Sequence, residues 1–391
     1  MSQSAFVKNI GTVQKSNPAG VKVSLLSKGI AFDLNLFRDI DDRFYENQYV
    51  YGRTSMKVMP SHRLPQILKL GEGVVTAILR REDSPWQLKL RGNIPQLHYD
   101  GKHVQDVELP QRPPYFGKLL SDGTQSESII AVAGESTPGF FLYPRCFYFE
   151  RGVPCGFCSL RGNRSTSGKG MAMDFTEANI AEATRLFQKT IWKDIPVVSF
   201  TAGTPNTDTE TREYVIRLIR AVYDALDPKI PIHALVHPPN DLDLVEEYKK
   251  AGVTSIAFNI EVFDRETFMR VCPGKDEFYG YDNWFEALNV ARDVFGRYMA
   301  FGGLVWGLEN IESTMEGNRY LIENGIGIAS NIFHSDQHSV MARYPHPSEE
   351  DILRIIEHQQ NLYLEHPDAR TIFPLSMRST VDWEVKRGDF R

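Results

Sequence analysis

Strand-like and helix-like segments alternate along the middle of this 391-residue chain, and this alternation limits the possible folds more than any other feature. From about residue 128, six apolar runs are separated by amphipathic patterns of helical period. The predicted strands are 140–149, 196–202, 230–237, 255–263, 297–307 and 327–333. Such alternation predicts a parallel sheet with right-handed crossovers. Six units favour an α/β fold with a partial (β/α)6 barrel, whose ligand chemistry lies at the carboxyl ends of the strands.

Two further regions flank the predicted barrel. Residues 1–125 are predicted to be β-rich, because 20–37 and 73–82 have strand-like apolar content and 86–109 alternates around an Asp100-Gly101 turn. The Pro-, Gly- and Ser-rich stretch 111–128 is typical of a linker. Residues 346–391 begin with a helix capped by Ser348, and we expect their end to return across the barrel mouth. The predicted domains are 1–125 (β-rich, accessory), 126–345 (barrel) and 346–391 (C-terminal helix and tail).

Three cysteines are clustered where the first predicted strand ends. Cys146, Cys155 and Cys158 have the spacing C-x8-C-x2-C. Three thiolates without a fourth can hold three irons of a cubane cluster and leave one iron open to a small molecule. The C-x2-C pair also serves zinc, so a three-ligand zinc site and unrelated buried thiols are alternatives. Cys272 stands alone in the sequence, and we interpret it as a structural thiol.

Composition excludes several classes of function. The formal net charge is −6, with 42% hydrophobic and 24% charged residues, so no broad basic surface for nucleic acid is expected. The first residues lack the apolar core of a signal peptide, and no apolar run approaches the roughly 18 residues of a membrane span. Four cysteines, three of them clustered, argue against a disulfide scaffold, and a reducing cytoplasm is therefore the expected location.

The cysteine run, with Phe157 before the last cysteine, resembles the signature of the radical S-adenosylmethionine (SAM) enzymes. Their usual spacing is C-x3-C-x2-C, and here the first gap is stretched to eight residues. The resemblance covers about half the chain, residues 138–345. It implies a [4Fe–4S] cluster on Cys146, Cys155 and Cys158, with the open iron chelating the amino and carboxylate groups of SAM.

Two strand ends extend the resemblance. The family carries a Gly-rich turn after its second strand that receives the methionyl end of SAM, and the equivalent here is Thr201-Ala202-Gly203-Thr204 without the usual acid. This implies that Thr201, Gly203 and Thr204 bind SAM, although an ordinary βα turn has the same composition. The fifth predicted strand resembles the adenine-side motif, which implies that Val305 and Phe157 contact the adenine. Glycines within that strand are expected to allow close approach of a ligand.

Four polar residues near strand ends are candidates for catalysis. Glu261 lies in an otherwise apolar strand, where it could bind SAM or a cationic substrate, or simply pair with an Arg or Lys. The loop after the sixth strand contains His334, Asp336 and His338, which we predict to orient substrate and move a proton. A solvated loop would have a similar composition.

The resemblance also implies the reaction. An electron from flavodoxin, ferredoxin or a similar donor would cleave SAM, usually to a 5′-deoxyadenosyl radical that takes hydrogen from a small or medium-sized substrate. A biosynthetic or cofactor-assembly reaction fits this. The alternatives are cleavage of a different C–S bond of SAM, or a structural zinc or iron–sulfur module without SAM turnover. A cofactor-free barrel hydrolase or aldolase is disfavoured because no Schiff-base lysine or nucleophile–base pair is evident at a strand end.

Overall fold

A computed structural model of the protein describes residues 17–38, 65, 67–160, 175–190, 194–336 and 338–391. Residues 1–16 and 39–64 of the predicted accessory domain lie outside these ranges. The described strands are β1 Ile67–Gly71, β2 Val74–Ala77, β3 Trp86–Arg91, β4 Ile94–Tyr99, β5 Lys102–Asp106, β6 Ile130–Ala133, β7 Thr137–Tyr143, β8 Val198–Ala202, β9 Ile232–Leu235, β10 Ser255–Ala257, β11 Ala300–Trp306 and β12 Gly327–Ile332. The described helical segments are Pro18–Lys28, Ser126–Ser128 (3₁₀), Phe147–Glu150, Glu177–Lys189, Asp208–Thr211, Arg212–Ile216 (π), Arg217–Ala225, Leu244–Lys250, Arg265–Val271, Pro273–Phe278, Tyr281–Phe295, Ile311–Glu323, Glu349–Glu365 and Asp382–Arg387.

Seven of the described strands form one curled sheet, in the order β6-β7-β8-β9-β10-β11-β12. Strands β7 to β12 are parallel and adjacent in chain order, and β6 pairs antiparallel with β7 at the edge. Helices between successive strands contribute side chains such as Phe187, Ile219, Leu288 and Leu321 to the main core. The predicted partial (β/α)6 barrel is confirmed, and β6 is an additional strand that the sequence pattern did not reveal.

The first barrel strand ends earlier than its apolar run suggested. The prediction extended this strand over 140–149, but β7 ends at Tyr143 and Phe147–Glu150 is a short helix. Pro144 follows Tyr143 and has no N–H to donate to a neighbouring strand. The aromatic residues after Cys146 are therefore part of a loop helix rather than of the sheet.

The N-terminal prediction was right for residues 67–106 and wrong for residues 20–37. Strands β1 and β2 form a hairpin, and β3, β4 and β5 form a second antiparallel sheet. The run predicted as a strand contains the helix Pro18–Lys28, which begins after Asn17, whose side chain accepts the N–H of Ala19 at 2.9 Å. The helix is buried on more than one side: Val23 belongs to the main core and Val21 to a second core under the small sheets. Burial all round leaves no amphipathic period to detect.

The stretch 111–128 is packed against the barrel, so its interpretation as a linker was wrong. Tyr115 is fully buried and its ring lies edge-on to Phe187, with the centroids 6.4 Å apart. Leu120 is also in the main core.

The C-terminal region follows its prediction. The helix Glu349–Glu365 is capped by Ser348, whose hydroxyl accepts the N–H of Asp351 at 3.0 Å. The chain then crosses the barrel, where the carbonyl of Ser379 accepts the N–H of Ile332 at the end of β12. Among the described residues, no helix combines the length and apolar character needed to cross a membrane.

Candidate functional site

A cavity of about 500 Å³ lies in the half-barrel and reaches the carboxyl ends of its strands. Its wall combines strand ends, the loops that follow β7, β9 and β10, and the tail segment 371–383. Cavities of this volume accommodate cofactor-sized ligands. The predicted site residues that line it are Cys146, Cys155, Phe157, Cys158, Thr201, Gly203, Thr204, Glu261, Val305, His334 and Asp336.

One loop presents three free thiols to this cavity. Cys146, Cys155 and Cys158 are half-buried and carry no disulfide. The eight-residue gap contains the helix Phe147–Glu150, and the N–H of Phe147 donates to the carbonyl of Thr204 at 2.9 Å. The unusual spacing is therefore a helical turn inserted between the first and second cysteines.

The turn from Cys155 to Cys158 is held between two other segments. The N–H of Gly156 donates to the carbonyl of Val271 at 2.7 Å, and the carbonyl of Gly156 accepts the N–H of Met341 at 2.9 Å. A Cβ on Gly156 would lie 3.2 Å from the sulfur of Met341. Backbone bonds on both sides fix the direction in which the thiols point.

Cys272 lies beside Cys155, a contact that the sequence did not reveal. A side-chain hydrogen bond with Cys272 lowers the pKa of the Cys155 thiol, and burial raises the pKa of Cys272. Cys272 is fully buried and does not line the cavity. Cys272 therefore contacts Cys155, a predicted cluster ligand, on the side that faces away from the cavity.

A buried ion pair faces the cavity between the cysteine loop and β11. Nζ of Lys275 lies 3.0 Å from Oε1 of Glu261 and 2.7 Å from the carbonyl of Asn259, and 4.4 Å from the ring centroid of Trp284. Burial alone would lower the pKa of Lys275, but Glu261, Cys155 and Cys272 raise it above its usual value, so the side chain is a cation. Glu261 is thus paired with a lysine, as one of the two readings of the sequence anticipated.

Glu261 has a strained backbone. Its φ is +75°, in the left-handed region that side chains other than glycine rarely adopt. Two hydrogen bonds to β11 hold it there: its N–H donates to Gly303 at 2.7 Å and its carbonyl accepts from Val305 at 2.8 Å. Strain of this kind concentrates at functional sites.

The turn after β8 supports the cysteine loop directly. The N–H of Gly203 donates to the carbonyl of Tyr143 at 2.8 Å, and a Cβ at Gly203 would lie 1.7 Å from the carbonyl oxygen of Arg145. Thr201 and Thr204 are half-buried at the cavity wall. Gly203 is required here for close packing against the residue before Cys146.

Gly303 in β11 and Gly307 just after it make room for protein side chains. A Cβ at Gly303 would lie 2.1 Å from Cγ of Asn259, and one at Gly307 would lie 2.9 Å from Pro347. The expectation that these glycines admit a ligand was therefore wrong for both positions. Val305 and Phe157 do line the cavity.

Residues of the loop after β12 have two kinds of role: some hold the loop in place, and others face the cavity. Asp336 accepts the hydroxyl of Ser159 at 2.8 Å and the N–H of His338 at 3.1 Å, so its carboxylate fastens this loop to the cysteine loop. Burial lowers the pKa of His334 to about 3, which makes the ring neutral. His338 is not among the described residues that line the cavity.

Three contributors to the cavity escaped sequence reasoning. Lys275 gave no signal beyond its place three residues after Cys272 in the Pro-initiated helix Pro273–Phe278. The sequence position of His233 favours a core or rim histidine, with contact to SAM or substrate as the alternative, and the side chain is fully buried and lines the cavity. The tail residues were expected near the barrel mouth, but which of them face the cavity depends on turns without a periodic pattern.

The family model described as the Radical SAM superfamily matches residues 142–317. This segment of the protein is a radical SAM domain. The matched segment of this radical SAM protein contains the three cysteines, the Thr201–Thr204 turn, Glu261 and Val305. The loop with His334 and the tail segment lie beyond the match.

Individual relatives of this radical SAM enzyme are distant. The chain is 20% identical over 310 residues to the bacteriochlorophyllide c C-7(1)-hydroxylase of Chlorobaculum limnaeum, covering 76% of this chain and 77% of that protein. Methylornithine synthase is similar at a TM-score of 0.42 and 17% identity, over 56% of this chain and 62% of that structure. The FeFe-hydrogenase maturase HydG from Carboxydothermus hydrogenoformans has a TM-score of 0.45 and 16% identity, over 68% and 59%.

Proposed function

We propose that this radical SAM enzyme holds a [4Fe–4S] cluster through Cys146, Cys155 and Cys158 and uses reductive cleavage of SAM to abstract hydrogen from a small or medium-sized molecule. The observation that carries the proposal is that one loop directs three free, half-buried thiols into a single cavity at the carboxyl ends of parallel strands. An electron donor such as flavodoxin or ferredoxin is the proposed partner, and the reducing cytoplasm the proposed location.

The donor set fits a cubane with one open iron. Three thiols face the cavity, and the fourth, Cys272, is buried behind Cys155. Among the described residues, no three His, Cys, Asp or Glu side chains are grouped closely enough for a single metal ion. A cubane takes its ligands at separate corners, so the three thiols of this loop can each bind one iron and leave the fourth iron open.

The chain's own residues would hold SAM next to such a cluster. Lys275 and Glu261 offer a cation and a carboxylate to the carboxylate and ammonium of the methionyl end, and Thr201 and Thr204 offer hydroxyls. Phe157 and the strand-end side chain of Val305 supply apolar surface for the adenine. When bound, the cluster supplies the electron that cleaves SAM, and the resulting radical supplies the hydrogen abstraction.

A C–H bond of a small molecule is the proposed target. The similarity to a protein named as a hydroxylase of a bacteriochlorophyllide supports chemistry at carbon on a nonpeptide substrate. The cavity wall is closed on one side by the tail segment 371–383, and exclusion of water protects a reactive intermediate.

The test is SAM turnover by the full chain. After anaerobic reconstitution with iron and sulfide and reduction with dithionite, we expect 5′-deoxyadenosine by mass spectrometry. Cys155→Ala should lose bound iron and product together. Cys272→Ala, the matched cysteine outside the cavity, should keep its iron.

Other outcomes are diagnostic. Methylthioadenosine in place of 5′-deoxyadenosine would indicate cleavage of a different C–S bond. A colourless protein with bound zinc and no turnover would contradict the proposal. Equal iron loss in the two cysteine variants would contradict the ligand assignment.

A further inference from the structure

The cavity extends below the strand ends into the barrel interior. Gly139, Ser199 and His233 are aligned across β7, β8 and β9 as Cα partners, and all three line the cavity. Thr201 lies two residues further along β8, at the strand-end level of the predicted SAM turn. Two residues along a strand correspond to about 6–7 Å. His233 therefore belongs to a deeper layer than the residues assigned to SAM.

His233 has one satisfied and one unsatisfied ring nitrogen. The residue is 0% exposed, and its Nδ1 lies 2.8 Å from the hydroxyl of Ser255. Its Nε2 is buried and has no hydrogen-bond partner among the described residues. A buried polar atom without a hydrogen bond has lost its contact with water and gained nothing in return, so the site favours a ligand that supplies the partner.

The surroundings of His233 are apolar. The rings of Phe301 and Phe373 lie edge-on to the imidazole, with centroids 5.8 and 5.9 Å away. Leu235, Ala329 and Ile372 belong to the same interior apolar cluster as Phe301. Burial lowers the pKa of His233 to about 3, so the imidazole is neutral at physiological pH.

The charged groups nearer the mouth are already engaged. Glu261 is paired with Lys275, and Asp336 accepts bonds from Ser159 and His338. Asp382 accepts from the hydroxyl of Ser330 at 2.6 Å and from Gln359 at 2.9 Å. Among the described residues, the deep layer thus presents apolar surface with two polar groups: the Ser199 hydroxyl, which donates to the carbonyl of Pro138 at 3.4 Å, and the open Nε2 of His233.

We propose that this deep layer is the substrate subsite: it takes the buried end of an apolar, uncharged small molecule and forms one hydrogen bond from His233 Nε2 to a neutral oxygen, a hydroxyl or carbonyl, on that end. A hydroxyl matches either tautomer of the ring, and a carbonyl matches the tautomer protonated at Nε2. Charged ends are excluded because the contacts of the imidazole with the described residues are to Ser255, Phe301 and Phe373, none of which carries a charge. This inference rests on the proposed function, since it names the substrate class of the same site.

The test uses two probes of similar shape, phenol and toluene, which differ only in having a hydroxyl or a methyl group on the ring. Their affinities for the reconstituted full chain in the presence of SAM are measured by calorimetry or ligand-observed NMR. We expect the phenol-to-toluene affinity ratio to fall about tenfold or more in His233→Phe, because the lost bond discriminates only against phenol. His233→Gln retains a polar group near Nε2 and should keep part of the ratio. His98→Phe, which removes an imidazole from the small N-terminal sheet, should leave the ratio unchanged.

Each result decides the subsite separately from the proposed function. An unchanged ratio in His233→Phe, or no binding of either probe to the wild-type chain, overturns the subsite. If His233→Phe fails to fold, Ser255→Ala and His233→Gln take its place. The subsite is overturned if both variants leave the phenol-to-toluene affinity ratio unchanged and the wild-type chain binds the two probes equally tightly. Dithionite-driven SAM cleavage by the wild-type chain, measured without substrate, reports on the proposed function alone.

Discussion

At the scale of single residues, the Lys275–Glu261 pair is the main feature that the sequence concealed. The carboxylate was recognisable as an acid in an apolar strand, but its partner comes from the helix Pro273–Phe278, fourteen residues later. No period or motif marks that lysine, because its burial depends on how the loop after β10 folds back beside the cysteine turn. Polar residues at strand ends could be predicted from sequence, whereas their partners required the tertiary structure.

Replacing Lys275 should lower the stability of the protein, because its partner Glu261 is also buried. The two side chains are 9% and 14% exposed, so Lys275→Met leaves an unpaired carboxylate in a largely dry site. We expect the free energy of unfolding to fall by about 3–5 kcal/mol, measured by urea denaturation. The double variant Lys275→Met/Glu261→Gln should recover much of the loss because no unpaired charge remains.

A surface pair of the same type is the control. Lys250 and Glu246 are 73% and 61% exposed, so Lys250→Met should change the unfolding free energy by less than about 1 kcal/mol. A Lys275→Met variant as stable as Lys250→Met would show that Glu261 finds another partner or water.

At the scale of elements, the alternation of strands and helices was enough to predict the barrel, and failures occurred where an element does not have one buried face. The helix Pro18–Lys28 has buried residues from Ala19 to Ser27 and so lacks the polar stripe that identifies helices. Asn17-Pro18 at its start and Gly29 at its end are typical of helix boundaries, but the strand prediction gave more weight to the apolar content of the segment. The short helix Phe147–Glu150 was missed because its aromatic residues continue the apolar run of β7.

The docking of the cysteine loop on the β8 turn yields a test at this scale. Gly203→Ala places a methyl 1.7 Å from the carbonyl oxygen of Arg145, and a backbone atom cannot rotate away. The loop must therefore shift at Cys146, and we expect iron and sulfide content after anaerobic reconstitution to fall severalfold while far-UV circular dichroism stays near wild type.

Gly152→Ala is the matched control within the same loop. Gly152 has a φ of +79° and no atom within 4 Å of a new Cβ, so the substitution costs about 1 kcal/mol of backbone strain without a clash. It should retain its iron. Normal iron content in Gly203→Ala would mean that the loop tolerates displacement and that close packing at this turn is not needed for the cluster.

At the scale of the whole molecule, the helix Pro18–Lys28 and the C-terminal tail segment meet beside the barrel. Lys22, in the helix Pro18–Lys28, is fully buried, and its Nζ lies 2.7 Å from Glu384, 2.7 Å from the carbonyl of Met377 and 3.0 Å from the hydroxyl of Ser376. Met377 also lines the cavity. One buried cation therefore fastens the N-terminal helix to the tail segment that forms a wall of the proposed active site.

Loss of this fastening should loosen both ends together. In Lys22→Met, the carboxylate of Glu384 stays buried without its counter-ion, and we expect a loss of about 3–5 kcal/mol in unfolding free energy. Hydrogen exchange followed by mass spectrometry should show faster exchange in both 18–28 and 376–384, because each segment loses a partner in the other.

Lys22→Met/Glu384→Met removes both charges and should restore slow exchange. Lys28→Met, at the C-terminal end of the same helix, breaks a pair with Glu349 in which the lysine is 34% exposed, and it should affect exchange little. Faster exchange confined to 18–28 would show that the tail is held by its bonds to β2 and β12 alone, and that the cavity wall does not depend on the N-terminal helix.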